Sequence, residues 1–399
     1  MNHRLMNVIE EHRDLWVQTS RKIWDNPELG HEEFQAAKLL TSIAEKYGFH
    51  VETGSAGLPT AFRAIYDSGK PGPTLAYLSE YDALPGLGHA CGHNLIGVMS
   101  LGAAISLRDA VNQYGGKVIL FGTPAEETSG GKVTMAEQGY FEGVDAAMMA
   151  HPYHSYERSG KSLAMEAIQF DYYGRTAHAA SQPQNGINAL DAVIQTFNSI
   201  NALRQHVTKD VRIHGIITKG GEAANIVPDR TQAQFYVRTG LKTTLTATVE
   251  KVRNCAKAAA LATGCRVEIS NYELGYDNLV TNEALSSVFV DQLLALGVKP
   301  DEIKHGLDHG SLDMGNVSHQ VPAIHPYIQV PNCPYGVHTI QFRDAVGGPD
   351  GEKALMTGIK ALAATGLHLL QHPEKLIEIQ REFAEQHGIV NSKNEVTVG

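Results

Sequence analysis

Positive charge is what this chain of 399 residues has too little of: 33 Lys and Arg stand against 43 Asp and Glu, a formal net charge of −10. That balance argues against a nucleic-acid or anionic-membrane partner, since both recruit clustered cations. Cysteine is scarce, with four: Cys91, Cys255, Cys265 and Cys333. So few, with no secretion signal, exclude a disulfide-stapled scaffold and read as the reduced thiols of a cytoplasmic protein. The N-terminal "MNHRLMNVIEEHRDLWVQTSRKIW" is charged and amphipathic and lacks the apolar core of a signal peptide. No run of about 18 apolar residues stands out, which predicts no membrane span. Internal repeats and low-complexity stretches are also missing.

What is there describes a folded protein. Hydrophobic residues make up 43% and charged residues 19%, a globular profile. The length exceeds one ordinary core and suits two domains. Histidine is abundant, at 19, so position rather than number must decide which histidines matter.

Along the first part of the chain the pattern alternates strand and helix. Residues 5–48 read as two helices broken at "DNPELG", because apolar residues recur at helical spacing in "EEFQAAKLLTSIAEKYG". "FHVETG", "TAFRAIY", "PTLAYLSEYDALP", "GKVILFGTPAEET" and "AAMMAHPY" read as strands, with "LIGVMSLGAAISLRDAV" a helix among them. This β-α-β order predicts a mixed α/β sheet with helices on both faces. Chemistry in such sheets gathers outside the carboxyl ends of strands. Three strand ends carry Glu80/Asp82, Glu126/Glu127 and His151. From about residue 162 the order becomes β-α-β-β-α-β, the pattern of an inserted α+β domain. The division predicted is 1–161 with 276–399 for the first domain and 162–275 for the insert.

Four groups of residues could carry chemistry. Glu126 and Glu127 follow a strand, and neighbours on an extended chain point to opposite sides. One carboxylate can then ligate an ion while the other takes a proton from a nearby water. An acidic solvated loop is the plain alternative. In "EYDALPGLGHACGH", Cys91 and His93 lie two apart in a glycine-containing loop. Three readings fit that spacing: two ligands of a zinc-like ion, a cysteine nucleophile with a histidine base, or a buried thiol beside loop histidines. His151 and His338 each end an apolar or turn segment. Joined to Cys91, His93 and Glu127 they make five ligands, too many for one closed tetrahedral site and suited to two ions. His178, in the small-residue loop "GRTAHAASQ", could stabilise an oxyanion or simply cap backbone.

At this point the chain resembles the two-metal peptidases and amidohydrolases that include aminoacylases, carboxypeptidase G and the plant auxin-conjugate hydrolases. The likeness runs through "NPELGHEEFQAA", "EYDALPGLGHACGH", "PAEET", "GRTAHAASQPQNGINAL", "GGEAANIVPD" and "GVHT", in the family's order. The HACGH form resembles the amidohydrolase branch, where cysteine replaces a metal-bridging aspartate. The resemblance implies Cys91, His93, Glu127, His151 and His338 as metal ligands, with two divalent ions, zinc or manganese. It implies Glu126 as general base, Asp82 as the aspartate that holds a ligating histidine, and His178 as the oxyanion histidine, which in family dimers can come from the neighbouring subunit. Asn225 and Arg238 match positions near the substrate. Asn94 stands where many members of the branch have aspartate. With "SLDMGNVSHQVPAIHP" it brings the chain closer to the aminobenzoyl-glutamate-utilisation and β-alanyl-lysine-dipeptidase-like group.

The function this implies is hydrolysis of the amide bond of a dipeptide or an N-acyl (aminobenzoyl-type) amino acid. The inserted domain would act as a lid and dimerisation module, giving a homodimer or homotetramer. Two other functions stay open on the residues: a hydrolase using Cys91 as nucleophile, and a metal-dependent peptide-binding protein without turnover.

Overall fold

A computed structural model describes residues 3–306 and 310–388. The chain divides into two compact units, Met1–Lys161, Leu279–His309 and Asp313–Gly399 in the first, Ser162–Asn278 and Gly310–Leu312 in the second. Two short segments given to the first domain by sequence therefore belong to the second. The backbone shows why: Met165 and Tyr276 exchange amide hydrogen bonds of 2.7 and 2.9 Å, and Leu163 N–H donates to Gly310 O at 2.7 Å.

The main sheet of the first unit is mixed. Its six strands lie in the order His50–Thr53, Phe62–Asp67, Lys117–Gly122, Thr74–Ser79, Ala146–Met148, Ala323–Ile324. The first two pairings are antiparallel and the rest parallel. The two central parallel strands, "TLAYLS" and "KVILFG", are buried almost end to end, as strands covered on both faces must be. Their carboxyl ends deliver Glu80 and Asp82 from one strand and Glu126 and Glu127 from its neighbour.

Helix His93–Ser106 packs on strand Thr74–Ser79. All of its residues are buried, which explains a sequence apolar all round rather than amphipathic. The stretch His93–Tyr114 is long and apolar enough to cross a membrane by length and composition, contrary to the expectation of no such run, and its apolar window is 83% buried inside the unit. A second sheet of four short strands, Ile303–Lys304, Tyr156–Glu157, Tyr327–Gln329 and His151–Tyr153, has no counterpart in the sequence pattern. It splits the apolar run "AAMMAHPY", so His151 opens a strand of this second sheet instead of closing one of the first. The expected pair of N-terminal helices is three: His3–Glu11, Arg13–Asp25 and Phe34–Lys46.

The second unit is an antiparallel sheet in the order Arg266–Asn271, Ala164–Tyr173, Arg230–Thr239, Arg212–Lys219. Helices Ala189–Leu203 and Lys242–Thr263 pack against it and each other. Strand Arg230–Thr239 alternates buried and partly exposed residues, the signature of a sheet with one covered face. Phe170, Phe235 and Val252 sit in its core.

Candidate metal centre

Three loops and one short strand bring the acidic, thiol and imidazole groups of the first unit together. Gly92 makes the approach to helix His93–Ser106 possible. Its φ is +85°, and a Cβ there would lie 2.5 Å from Pro152 Cγ. Three sets of donor atoms fall within 4.8 Å of one another: Cys91, His93 and His151; Cys91, Glu127 and His338; His93, Glu126 and Glu127. Cys91 Sγ is 3.4 Å from His151 Nε2, and His338 Nε2 is 3.0 Å from Glu127 Oε1. His338 is itself held by its amide, which donates to Ala90 O at 2.8 Å. Among these groups its side chain is the open one, 49% exposed, whereas Cys91, His93 and His151 are buried.

The hydrogen bonds orient the imidazoles for an ion. His93 Nδ1 lies 2.8 Å from Asp82 Oδ1, and His151 Nδ1 lies 2.8 Å from the Pro152 carbonyl. Both acceptors place the ring proton on Nδ1 and leave the Nε2 lone pair facing the site. His93 Nε2 is buried without a hydrogen-bond partner. It faces Glu80 Oε2 at 3.5 Å and Glu127 Oε1 at 3.9 Å. This donor set of thiol, imidazole and carboxylate fits borderline divalent ions such as zinc.

The electrostatics point the same way. Burial, then Glu127, Glu80 and Asp313, push Glu126 well above the usual carboxylate range. Burial also works against ionised Glu127, but the hydrogen bond from His338 and the charge of His93 hold it below that range. Adjacent glutamates thus sit in opposite environments, one favouring a proton and the other its charge. Burial, then Glu127, push the Cys91 thiol well above its ordinary value. A free thiolate nucleophile is disfavoured here, because the thiolate would need a cation beside it. His89 is buried and lowered to about 4 by burial and by His93, and it joins none of the ion-capable groups among the described residues.

The remaining sequence candidates lie in the second unit. His178 Nδ1 accepts the amides of Ala180 at 3.2 Å and Ser181 at 3.3 Å. That fixes the proton on Nε2 and turns an exposed N–H donor outward. Asn225 is exposed, and its carbonyl accepts from Ala179 N–H at 3.0 Å. Arg238 donates to Ser311 Oγ at 3.3 Å and lies over the Tyr236 ring.

Residues 163–264 match the family described as the peptidase dimerisation domain of M20 proteins. The chain is 38% identical over 403 residues to the Xaa-Arg dipeptidase of Mus musculus, a match covering 96% of this chain and 92% of that protein. The chain belongs to the M20 family of peptidases and amidohydrolases. It is a metal-dependent amidohydrolase. Similarity to a p-aminobenzoyl-glutamate hydrolase chain of Escherichia coli (strain K12) is 33% over 73% of this chain and 64% of that one. The fold matches that of a Bacillus subtilis protein described as a dinuclear metal binding peptidase from the M20 family, with a TM-score of 0.69, 20% identity, and 91% and 99% of the two chains covered.

Two groups at this M20 centre escape sequence reasoning. Lys132, fully buried, donates from Nζ to Glu80 Oε1 and to Asp313 Oδ1, both at 2.6 Å. Its amide also reaches Asp313 Oδ2 at 3.1 Å. The acidic pair raises the ammonium's pKa against the opposing effect of burial. "GGKVTM" offers no signal for this, since a lysine after two glycines reads as a surface residue. The other is Glu33 of "NPELGHEEF", a glutamate among polar neighbours whose side chain is nonetheless fully buried.

Proposed function

We propose that this chain cleaves dipeptides at a centre of two divalent ions, zinc or manganese, held by Cys91, His93, Glu127, His151 and His338, with N-acyl (aminobenzoyl-type) amino acids the second substrate class. The observation that carries the proposal is the convergence of these donor atoms within 4.8 Å in overlapping sets. The activity of the mouse relative makes dipeptides with a C-terminal arginine the first substrates to try.

Divalent ions, when bound, supply Lewis-acid polarisation of the scissile carbonyl and make water a nucleophile near neutral pH. The chain's own groups do the rest. Asp82 keeps His93 in the tautomer that presents Nε2. A Glu126 carboxylate oxygen takes the proton from the attacking water and hands it to the leaving amine. The outward Nε2–H of His178 is suited to the oxyanion of the tetrahedral intermediate, from the same subunit or a partner. Asn225 and Arg238 belong to the substrate side in this reading.

Assembly as a homodimer or homotetramer through the second unit is supported by the edge strand Arg212–Lys219, where Ile216 and Ile217 are 63% and 42% exposed. A cytoplasmic location is supported by the four unpaired cysteines.

The test is a hydrolysis screen of dipeptides and N-acyl amino acids on apoprotein reloaded with zinc or manganese. The expected result is chelator-sensitive turnover that Glu126→Gln lowers by at least about 100-fold while metal content stays at the wild-type level. Near-normal turnover in metal-loaded Glu126→Gln would overturn the assignment of the base. Hydrolysis that ignores chelators and stops on thiol alkylation would point instead to Cys91 as nucleophile.

A further inference from the structure

The segment "ELGHEE", residues 28–33, carries none of the proposed ligands, yet it lies directly against the turn that bears Glu126. A Cβ at Gly30 would stand 2.4 Å from Thr128 Oγ1 and 2.9 Å from Ala125 Cβ. His31 Nε2 contacts Ser129 Oγ. Ala83 N–H donates to Glu28 O at 2.8 Å. The segment thus touches both loops that leave the central parallel strands.

Its most buried member is Glu33, with no exposed surface. Glu33 Oε1 accepts the amide of Ala125 at 2.8 Å, and Oε2 accepts Thr60 Oγ1–H at 2.8 Å. Ala125 has φ +61°, an uncommon conformation for a residue with a Cβ. Its carbonyl gathers the amides of Thr128, Ser129 and Gly130 at 3.3, 3.1 and 2.7 Å. On the far side of Glu126, the amide of Glu127 is held by Asp82 Oδ2 at 3.0 Å. Buried carboxylates therefore bracket Glu126, one on each neighbouring amide. A carboxyl group is a costly way to fill a core, and burial pushes Glu33 up to about 7. An apolar side chain would fill the same space but could not accept the Ala125 amide and so hold a strained turn.

We propose that Glu33 is a positioning residue for Glu126, its carboxyl group fixing the Ala125 turn so that the base points at the reacting water. The proposal rests on Glu126 acting as the base. It separates two functions of neighbouring residues: Asp82 secures the ligand Glu127, and Glu33 secures Glu126.

The experiment compares Glu33→Ala, Glu33→Gln and Glu33→Asp in the full-length, metal-loaded protein. It reads kcat and KM, bound metal by elemental analysis, and amide hydrogen exchange over residues 121–131. Glu33→Ala is expected to lower kcat about 100-fold, the usual cost of an ångström-scale misplacement, with metal content and KM unchanged and exchange at the turn faster. Glu33→Gln, which keeps an acceptor oxygen at the same reach, is expected to recover the rate to within about threefold. Glu33→Asp, one methylene short, should behave like alanine, and it decides the matter if Glu33→Ala does not fold.

A Glu33→Ala or Glu33→Asp enzyme with wild-type kcat overturns the proposal. So does a rate loss matched by metal loss, or a failure of Glu33→Gln to recover. Glu126→Gln, measured alongside, reports separately on the base: if it retains turnover, the reading beneath the proposal fails whatever Glu33 does.

Discussion

Asp82 binds His93 and Glu127 with one carboxylate. Its Oδ1 faces His93 Nδ1 at 2.8 Å, and its Oδ2 accepts the Glu127 amide at 3.0 Å. One side chain from the end of strand Thr74–Ser79 thereby registers the loop after Lys117–Gly122 against the helix that begins at His93. Asp82 is itself almost fully buried. Burial disfavours its charge, but His93 overcomes this and holds the carboxyl below its ordinary range. It stays an acceptor, as both partners require.

Asp82→Asn should therefore weaken metal binding more than it disturbs the fold. Asparagine keeps one acceptor oxygen and replaces the other with a donor, so either His93 or the Glu127 amide loses its partner. Loss of such a support for a ligating histidine typically costs about 10- to 100-fold in affinity. Titration of zinc into chelator-stripped protein measures it directly. An unchanged dissociation constant would show that the ligands hold their places without Asp82.

Lys132 makes a stability prediction. Lys132→Met leaves Glu80 and Asp313 buried and facing each other without a cation, which is expected to cost about 3–5 kcal/mol. Adding Glu80→Gln and Asp313→Asn removes the unpaired charges and should return most of that loss. Urea denaturation of the metal-loaded proteins gives both numbers. A single variant within about 1 kcal/mol of wild type would mean that the ammonium contributes little to holding this network.

Much of the centre can be read from sequence because its chemistry lies at chain positions with strong local signatures. Cys91 and His93 open a helix, Glu126 and Glu127 close a strand, and each loop is short. His151 falls near the site by sequence, yet on the wrong sheet, because "AAMMAHPY" has no turn residue to mark the break between Ala146–Met148 and His151–Tyr153. Lys132 and Glu33 are hidden for a different reason. Each is charged in a polar stretch, and its burial depends on residues far along the chain: Asp313 for one, Thr60 and Ala125 for the other. Nothing local distinguishes such groups from solvated ones. The ends of the insert slip similarly, since Tyr276 and Gly310 join the second unit through isolated backbone pairings.

Assembly can be tested at the edge strand. Lysine on an exposed edge opposes strand addition without disturbing the covered face. Ile216→Lys with Ile217→Lys should turn a dimer or tetramer into monomer in sedimentation analysis, with far-ultraviolet dichroism unchanged. A wild-type protein that is already monomeric, or a variant that assembles normally, would remove this strand from the interface.

The last prediction concerns Glu33 and pH. Its carboxyl is raised by burial from 4.5 to about 7, so the folded protein holds that proton more tightly than the unfolded chain. The associated stability is complete below about pH 4.5 and is lost as pH rises through 7. A shift of this size corresponds to roughly 3 kcal/mol. Glutamine has no proton to lose. The stability of wild type relative to Glu33→Gln should thus fall by about that amount between pH 4.5 and 8, leaving the variant the more favoured at the alkaline end. Urea unfolding of both proteins in chelator across this range isolates Glu33, because every other titrating group is common to the pair. A difference constant with pH would mean that Glu33 ionises in its buried place as easily as in water.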